Sequence, residues 1–207
     1  MHSYREEYKK VLLNYVPEAA VEKVLDLIQE DSIHFKIKKS RSTKLGDYRA
    51  PHQGSDHQIT INNDLNKYSF LITFVHEVAH LVTWNKFKNK ALPHGEEWKL
   101  EFARLMRPFY NNTIFPEDIL LALKKHFSNV KASTCSDPHL LRILKKYDSS
   151  PSVHVEDLSP NSIFTLANGQ TFIKGLRLRK RFKCKEVGTN KNYLVSPLVE
   201  VISCETK

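Results

Sequence analysis

The chain has 207 residues, of which 41% are hydrophobic and 27% are charged, as in ordinary globular proteins. This composition excludes a fibrous protein and a disordered tail protein, and it limits the chain to one domain with at most a small appendage. Lysine and arginine outnumber aspartate and glutamate by 32 to 23. The formal net charge of +9 favours a polyanionic partner such as nucleic acid, with a merely solvated basic surface as an equal alternative.

The N-terminal region predicts two helices followed by strands. Apolar residues recur at helical spacing over residues 12–16, Pro17 interrupts them, and the pattern resumes over residues 19–28. Residues 33–38 and 57–62 then alternate between apolar and polar side chains, which is typical of half-buried strands. Turn residues between these two segments leave room for further short strands: Gly46, Pro51 and Gly54.

The middle of the chain predicts a series of helices. Residues 67–87 contain no glycine or proline and are apolar on most sides, which indicates a buried helix. Residues 96–106 carry apolar side chains on one face, and a proline followed by two acidic residues opens another helix at residue 116. Residues 138–147 complete the series.

The C-terminal region predicts a small β module after a linker. Residues 148–160 are rich in serine, proline and polar side chains, which is typical of a linker. Residues 163–167 and 170–173 flank Asn168-Gly169, a strong hairpin signal. Two further strand-like segments follow at about residues 181–187 and 193–195.

The start of the chain, its apolar runs and its cysteines point to one compartment. No apolar run approaches the roughly 20 residues that span a bilayer, and the first ten residues lack the apolar core of a secretory signal. The three cysteines are odd in number and far apart, which fits a reducing environment: Cys135, Cys184 and Cys204. We therefore expect a cytoplasmic protein with no membrane partner.

The residues most indicative of chemistry are His76-Glu77-Val78-Ala79-His80, an H-E-x-x-H motif. On a helix, His76 and His80 lie on one face and can bind the same zinc ion, while Glu77 can take the proton of a zinc-bound water. The motif is expected by chance on the order of 0.03 times in a chain of this composition. The alternative is a helix with two hydrogen-bonded core histidines and a surface glutamate.

A catalytic zinc site needs a third protein ligand and an open position. His94 is the best candidate, because it follows His80 after a loop that can reverse the chain and precedes the next helix. Glu97 and Glu101 on that helix are rival ligands. The remaining histidines lack comparable spacing and are expected at the surface: His34, His52, His57, His126, His139 and His154.

These motifs resemble the SprT-like zinc metalloprotease family, which includes bacterial SprT proteins and the eukaryotic protease Spartan. The shared features are the apolar helix with HEVAH and the later His94-Gly95-Glu96-Glu97-Trp98, and the resemblance covers about residues 1–107. It implies zinc as cofactor, His76, His80 and His94 as zinc ligands, Glu77 as catalytic base and a zincin-like α+β fold. Many members continue into a zinc ribbon of paired CxxC motifs, and this sequence contains no CxxC.

The resemblance and the linker signal together imply a domain order. We expect a SprT-like zincin protease domain at 1–110 and a helical extension at 111–150. A linker at 151–160 and a small basic β module at 161–207 follow. The module resembles a zinc ribbon without its cysteines.

Residues 174–185 contain seven basic residues and no acidic residue: Lys174, Arg177, Arg179, Lys180, Arg181, Lys183 and Lys185. On a strand, one face of this segment would be cationic and the other buried. The cationic face suits a phosphate backbone, and Phe182 is a candidate for stacking on a base. A solvated strand face balanced by acidic neighbours is the alternative.

The leading hypothesis is therefore zinc-dependent hydrolysis of peptide bonds, with proteins associated with or crosslinked to DNA as substrates by analogy with Spartan-type members. The strand at 57–62 is expected at the upper edge of the cleft, pairing with an extended substrate. Tyr48, Arg49 and His57 are candidate oxyanion donors. Two alternatives remain: a nucleic-acid-binding protein with a structural or vestigial zinc site, and a hydrolase of non-peptide amides.

Overall fold

The structure is a computed structural model that describes most of the chain: residues 2–41, 44–52, 54–128, 137–150 and 152–205. The chain divides into two units, Met1–Ser149 and Ser150–Lys207. Helices and strands are both present, so the protein is of the mixed α+β class that the sequence predicts. Within the described ranges, no helix has the length and apolarity needed to cross a membrane.

The first unit contains all the helices predicted from the sequence. They are α1 (His2–Tyr15), α2 (Val21–Glu30), α3 (Lys67–Phe87), α4 (Glu96–Met106), α5 (Glu117–Ser128) and α6 (Pro138–Lys145). Local signals fix several of their ends. Pro17 follows α1, and the Asn66 side chain caps α3 by accepting hydrogen bonds from the backbone N–H groups of Tyr68 and Ser69.

A three-stranded sheet joins these helices. Its strands are β1 (His34–Lys38), β2 (Gly46–Arg49) and β3 (Gln58–Asn62). The spatial order is β1-β3-β2, with β1 parallel to β3 and β2 antiparallel to it. The prediction that residues 57–62 form the cleft's edge is therefore wrong, because β3 is hydrogen-bonded on both sides. Among the described residues, β1 and β2 are the two edge strands instead.

The polar residues of β3 are buried, although their alternation predicted a strand with one solvated face. Thr60 and Asn62 are 3% and 1% exposed. The Arg41 guanidinium donates to both side chains, and the Asn62 amide donates to the carbonyls of Arg41 and Lys44. These hydrogen bonds offset the cost of removing the polar groups from water.

Helix α3 forms the centre of the first unit. It packs against β2, β3, α1 and α4, and twelve of its residues are buried. Phe35 of β1 packs edge-on against Phe74 of α3, with ring centroids 5.6 Å apart. Since α3 is surrounded on most sides, its polar residues His76 and Glu77 are buried as well, at 4% and 6% exposure.

Helices α5 and α6 contribute to the same hydrophobic core as α1 to α4. Ile119, Leu123 and Leu140 belong to the cluster that also contains Leu12 and Phe70. His126 of α5 was expected at the surface, and that prediction is wrong. Its side chain is 5% exposed, and its Nδ1 lies 3.0 Å from Oδ2 of Asp137.

The second unit is a small β structure. Its strands are β4 (Ile163–Thr165), β5 (Thr171–Ile173), β6 (Arg177–Leu178), β7 (Arg181–Glu186), β8 (Asn192–Val195) and β9 (Ser203–Glu205). In the described part of the chain they form one sheet in the order β6-β7-β5-β4-β9, with β8 also paired to β7. Val155 and Leu158, in the segment expected to be a linker, are buried in this unit's core.

The predicted hairpin forms, but its turn is wider than a two-residue Asn-Gly turn. Thr165 pairs with Thr171, and the Gly169 N–H donates to the Leu166 carbonyl. Gly169 adopts φ 83°, in the left-handed region. A three-residue loop with glycine in this conformation is the next most common hairpin connection.

Candidate functional site

Three histidine side chains converge beside α3. The Nε2 atoms of His76 and His80 are 3.2 Å apart, and each lies 3.1 Å from Nε2 of His94. The ring centroids are 4.7–5.0 Å apart, so the Nε2 ends of the rings point toward a common centre. In the described part of the chain, these three residues form the one group of metal-ligating side chains close enough to hold an ion.

The arrangement of these nitrogens fits a tetrahedral zinc site. A Zn–N bond of about 2.0–2.1 Å in tetrahedral geometry places the ligand nitrogens about 3.3 Å from one another. Hydrogen bonds between the imidazoles do not explain three Nε2 atoms that are 3.1–3.2 Å apart. Each Nε2 has one N–H or one lone pair, which lies in the plane of its own ring and is directed outward, so it cannot serve both neighbours. A cation at the centre satisfies all three lone pairs.

The histidines are also in the protonation state that metal binding requires. Burial, followed by repulsion from the neighbouring rings, lowers the pKa of His76 to about 2. The same two causes lower the pKa of His80 to about 4, and burial lowers the pKa of His94. All three imidazoles are therefore neutral near pH 7, the form in which nitrogen donates a lone pair to a metal.

A tight turn between α3 and α4 brings His94 to the other two histidines. The Gly95 N–H donates to the Leu92 carbonyl at 2.9 Å, and His94 lies at φ 59°. A non-glycine residue in the left-handed region costs about 1–2 kcal/mol. Backbone strain of this kind is concentrated at functional positions. Gly95 itself then caps α4.

Trp98 of α4 forms one wall of the site. Its ring centroid lies 4.6 Å from that of His76, 5.3 Å from that of His80 and 4.8 Å from that of His94. It is 2% exposed and stacks on Phe102 with ring planes 9° apart. Packing against one rigid indole restricts rotation of all three imidazoles and so keeps their Nε2 atoms directed at the common centre.

Glu77 lies on α3, as His76 and His80 do, but its side chain faces β2. Burial, and then the nearby Asp47 carboxylate, raise the pKa of Glu77 to about 8, and the Tyr48 backbone N–H opposes them by donating a hydrogen bond to the carboxyl. A cation held by the histidines would also lower the pKa of Glu77, as this hydrogen bond does. A buried carboxyl with a raised pKa beside a candidate metal centre is typical of a general base.

Other residues considered as ligands lie outside the cluster. Glu101 is buried and pairs with Lys86 of α3 and with Arg104, whose Nε is 2.9 Å from Oε2 of Glu101. Glu97 is half-buried and is not grouped with the histidines. Of the two rivals to His94, the structure brings neither to the site.

The sequence indicated Tyr48 and Arg49 of β2 as candidate oxyanion donors, but it did not indicate Gly46 or the backbone of Tyr48 as neighbours of Glu77. Gly46 and the backbone of Tyr48 contact the Glu77 side chain. The available signal was the lone glycine in a short strand, which often marks a close approach of two backbones or of a ligand. Together with Pro51 and Gly54, however, Gly46 favours a turn, so the sequence does not predict this contact.

Most of the predicted basic residues are exposed on the second unit. On β7, Arg181, Lys183 and Lys185 are exposed and alternate with buried Phe182 and Cys184. Residues on the preceding segment are exposed as well: Arg177, Arg179 and Lys180. Within the described residues, none of these six cations forms a salt bridge with an acidic side chain.

Two residues proposed for nucleic-acid contact are unavailable to a ligand. Lys174 is 5% exposed, and its ammonium donates to the carbonyls of Glu156 and Leu158 and lies 4.4 Å from the centroid of the Phe182 ring. Phe182 is 8% exposed and packs in the core of the second unit. Both side chains stabilise the fold, so the predictions of a phosphate contact for Lys174 and base stacking for Phe182 are wrong.

Comparison with known proteins gives one family. The family model described as SprT-like family matches residues 10–117, which is just over half of the chain and includes both α3 and the His94 turn. No curated protein and no solved structure matches the chain significantly.

Proposed function

This chain belongs to the SprT-like family, and from that premise we propose that it is a zinc-dependent metallopeptidase hydrolysing peptide bonds in protein substrates. The observation that carries the proposal is the convergence of three neutral imidazole nitrogens on one centre, with the buried carboxyl of Glu77 on the same helix. Three protein ligands leave a fourth position open for water or substrate, as catalytic zinc sites require. We also propose a zincin-like fold for the first unit.

In this proposal His76, His80 and His94 hold the zinc ion, which when bound acidifies a water molecule and polarises the scissile carbonyl. Glu77 accepts the proton of the attacking water and delivers it to the leaving amine. The Tyr48 backbone N–H fixes the Glu77 carboxyl during both transfers. Trp98 keeps the imidazoles in their orientation.

Strand β2 is the element that we propose to bind the substrate backbone. It pairs with β3 on one side only among the described residues, and it lies directly against Glu77. An extended peptide that adds to the free edge of β2 would run past the metal centre. This assignment replaces β3, which has no free edge.

The exposed cations of β7 support a second part of the proposal, in which the substrates are proteins associated with DNA. Arg181, Lys183 and Lys185 lie on one face of the sheet without acidic partners among the described residues, so a phosphate backbone can approach them. A nucleic-acid-binding protein with a vestigial zinc site has the same surface. The buried Glu77 favours the peptidase, because a purely structural zinc site has no use for a base.

The experiment is cleavage of a disordered, lysine-rich protein by the zinc-loaded chain, with and without single-stranded DNA, read on a gel. Glu77→Gln is expected to abolish cleavage and to retain one zinc ion per chain. Glu97→Gln, a matched change on α4, is expected to retain both cleavage and zinc. Cleavage by Glu77→Gln at the wild-type rate would refute the base assignment.

Zinc content separates the remaining outcomes. A folded, zinc-bound wild type that cleaves no protein would favour the non-peptide amide hydrolase, or the binding protein if it also binds DNA. Loss of zinc from Glu97→Gln would show that the ligand set is wrong.

A further inference from the structure

Tyr48 and His57, nine residues apart in the chain, form a pair in space. The Tyr48 hydroxyl lies 3.0 Å from Nδ1 of His57, and the two rings stack with centroids 5.9 Å apart and planes 22° apart. His57 in turn packs edge-on against Trp84 of α3, with centroids 5.4 Å apart. All three side chains are half-buried. They form an ordered aromatic wall that is still reached by solvent.

This wall lies next to Glu77 and one helical turn after His80. The Tyr48 backbone N–H donates to the Glu77 carboxyl, so the Tyr48 backbone is held next to the proposed general base. Trp84 follows Glu77 by seven residues of α-helix and therefore lies within about 20° of it around the axis, and it follows His80 by one turn. The Tyr48–His57 pair thus packs on the face of α3 that follows His80. His94 belongs to the loop before α4.

Attack of water on a peptide carbonyl creates a negatively charged oxygen, and a positioned O–H or N–H donor stabilises it. Arg49 is not suited to be this donor, because its side chain is 68% exposed and pairs with Asp47. Tyr48 is the β2 residue whose backbone N–H bonds Glu77, and its hydroxyl is an O–H donor held in place by His57. Burial, with the Asp31 charge, raises the pKa of Tyr48 well above its usual range, so the hydroxyl keeps its proton.

The tautomer of His57 decides which way the Tyr48 proton points. Burial lowers the pKa of His57, so the neutral imidazole carries one proton, on either Nδ1 or Nε2. When that proton is on Nδ1, the imidazole donates to the Tyr48 oxygen. The Tyr48 O–H is then free to point into the cleft.

Resting on the proposed peptidase function, we propose that Tyr48 is a catalytic residue whose hydroxyl donates a hydrogen bond to the oxyanion of the tetrahedral intermediate, with His57 as its positioning residue. The interaction is a hydrogen bond throughout, and the proton stays on the Tyr48 oxygen. The proton transfers of the reaction remain with Glu77.

The test is steady-state cleavage of a quenched fluorescent casein by the zinc-loaded chain. Tyr48→Phe removes only the hydroxyl and is expected to lower kcat about 100-fold, with KM and zinc content little changed. Tyr110→Phe is the matched control, because the Tyr110 hydroxyl donates to the Leu120 carbonyl within the helical part of the unit. It is expected to retain the wild-type kcat.

The positioning role of His57 is tested by a double-mutant cycle. His57→Gln alone is expected to lower kcat less than Tyr48→Phe does. The double variant is expected to be no slower than Tyr48→Phe, since His57 acts through the hydroxyl that is already absent. Independent, multiplicative losses would overturn the assignment of His57.

A binding measurement covers the case in which Tyr48→Phe displaces β2. In the Glu77→Gln background, Tyr48→Phe is expected to weaken a phosphonamidate dipeptide, which carries a tetrahedral anionic oxygen, at least tenfold. Unchanged affinity together with kcat within twofold of wild type would overturn the role of Tyr48 and leave the peptidase intact. A wild type that cleaves nothing would overturn the proposed function, and this inference with it.

Discussion

Gly46 of β2 lies against the Glu77 side chain of α3 so closely that no other residue fits there. A Cβ at Gly46 would stand 2.7 Å from Oε1 and 2.9 Å from Cγ of Glu77, and 2.8 Å from Cγ2 of Thr73. The strand can therefore approach the helix closely enough for the Tyr48 N–H to reach the Glu77 carboxyl. The position of the Glu77 carboxyl, the proposed base, thus depends on Gly46 of the neighbouring strand having no side chain.

Gly46→Ala is therefore expected to move either β2 or the Glu77 carboxyl. Inserting a methyl group into a filled interior costs about 1–3 kcal/mol, which thermal unfolding would show as a lower Tm. Peptidase activity is expected to fall further than the loss of stability explains, since the hydrogen bond to Glu77 is broken at temperatures where the chain is still folded. Zinc content is expected to stay at one ion per chain.

Gly188→Ala is the control for Gly46→Ala. A Cβ at Gly188 would meet no atom within 4 Å, and the residue's φ lies outside the left-handed region. This variant is expected to keep the Tm and the activity of the wild type. Full activity of Gly46→Ala would show that the base tolerates displacement of β2.

Zinc is expected to stabilise the wild type and to lose this effect when His94 is removed. A ligand that binds only the folded state adds about 2.7 kcal/mol of unfolding free energy at 100 times its Kd. The measurement is the shift of Tm on adding Zn²⁺ to the metal-free protein. His94→Ala and His94→Gly should both lose most of the shift, and His34→Ala, an exposed residue of β1, should retain it.

The two His94 variants differ in a second respect. Because His94 lies at φ 59°, alanine keeps the backbone strain while glycine relieves it. In metal-free buffer, His94→Gly is expected to be more stable than His94→Ala by about 1 kcal/mol. Equal stability would indicate that the turn relaxes when zinc is absent.

The sequence was sufficient to predict that His76 and His80 share one face of a helix, and to predict most of the helices, because the H-E-x-x-H spacing and the 3.6-residue period are local properties. The approach of His94 is not local, and its prediction depends on its place before α4 and on the family resemblance. The sequence could not predict which strand borders the site. The sequence presents β2 and β3 alike, as short segments near the motif helix. Only the pairing of Ile59 with both Phe35 and Tyr48 shows that β3 is central. Burial of Lys174 was equally hidden, since its partners are backbone carbonyls of Glu156 and Leu158.

Asp137 is expected to make the stability of the first unit depend on pH. Burial alone would raise the pKa of Asp137, but hydrogen bonds from His126 and from the backbone N–H groups of Leu140 and His139 outweigh it and lower the pKa overall. A carboxyl with a lowered folded-state pKa contributes stability above its unfolded pKa of about 3.9, and loses it as the pH falls through the folded value.

Asp137→Asn and Asp137→Ala separate the charge from the cap. Asparagine keeps an oxygen for the N-terminus of α6 and loses only the charge, so its Tm deficit should be full at pH 7, shrink as the pH falls below about 4 and vanish below the folded-state pKa of Asp137. Alanine also removes the cap, which costs about 1 kcal/mol, so part of its deficit should persist at low pH. A deficit of Asp137→Asn that does not change with pH would contradict the lowered pKa.

The exposed cations of β7 predict a salt-dependent affinity for DNA. Each phosphate contact with single-stranded DNA contributes about 0.7 to the slope of log K against log salt. Lys183→Glu is expected to weaken binding of a fluorescent oligonucleotide and to reduce this slope, because Lys183 is exposed at the centre of the cationic face of β7. The measurement is fluorescence anisotropy over a series of salt concentrations.

Two variants separate a binding surface from net charge and from fold stability. Lys23→Glu makes the same change in net charge at an exposed position of α2 and should leave the slope unchanged. Lys174→Met removes a buried ammonium that bonds two carbonyls, so it should lower the Tm of the second unit without changing the slope. If Lys23→Glu reduced the slope as much as Lys183→Glu, binding would follow overall charge, and β7 would not be a nucleic-acid surface.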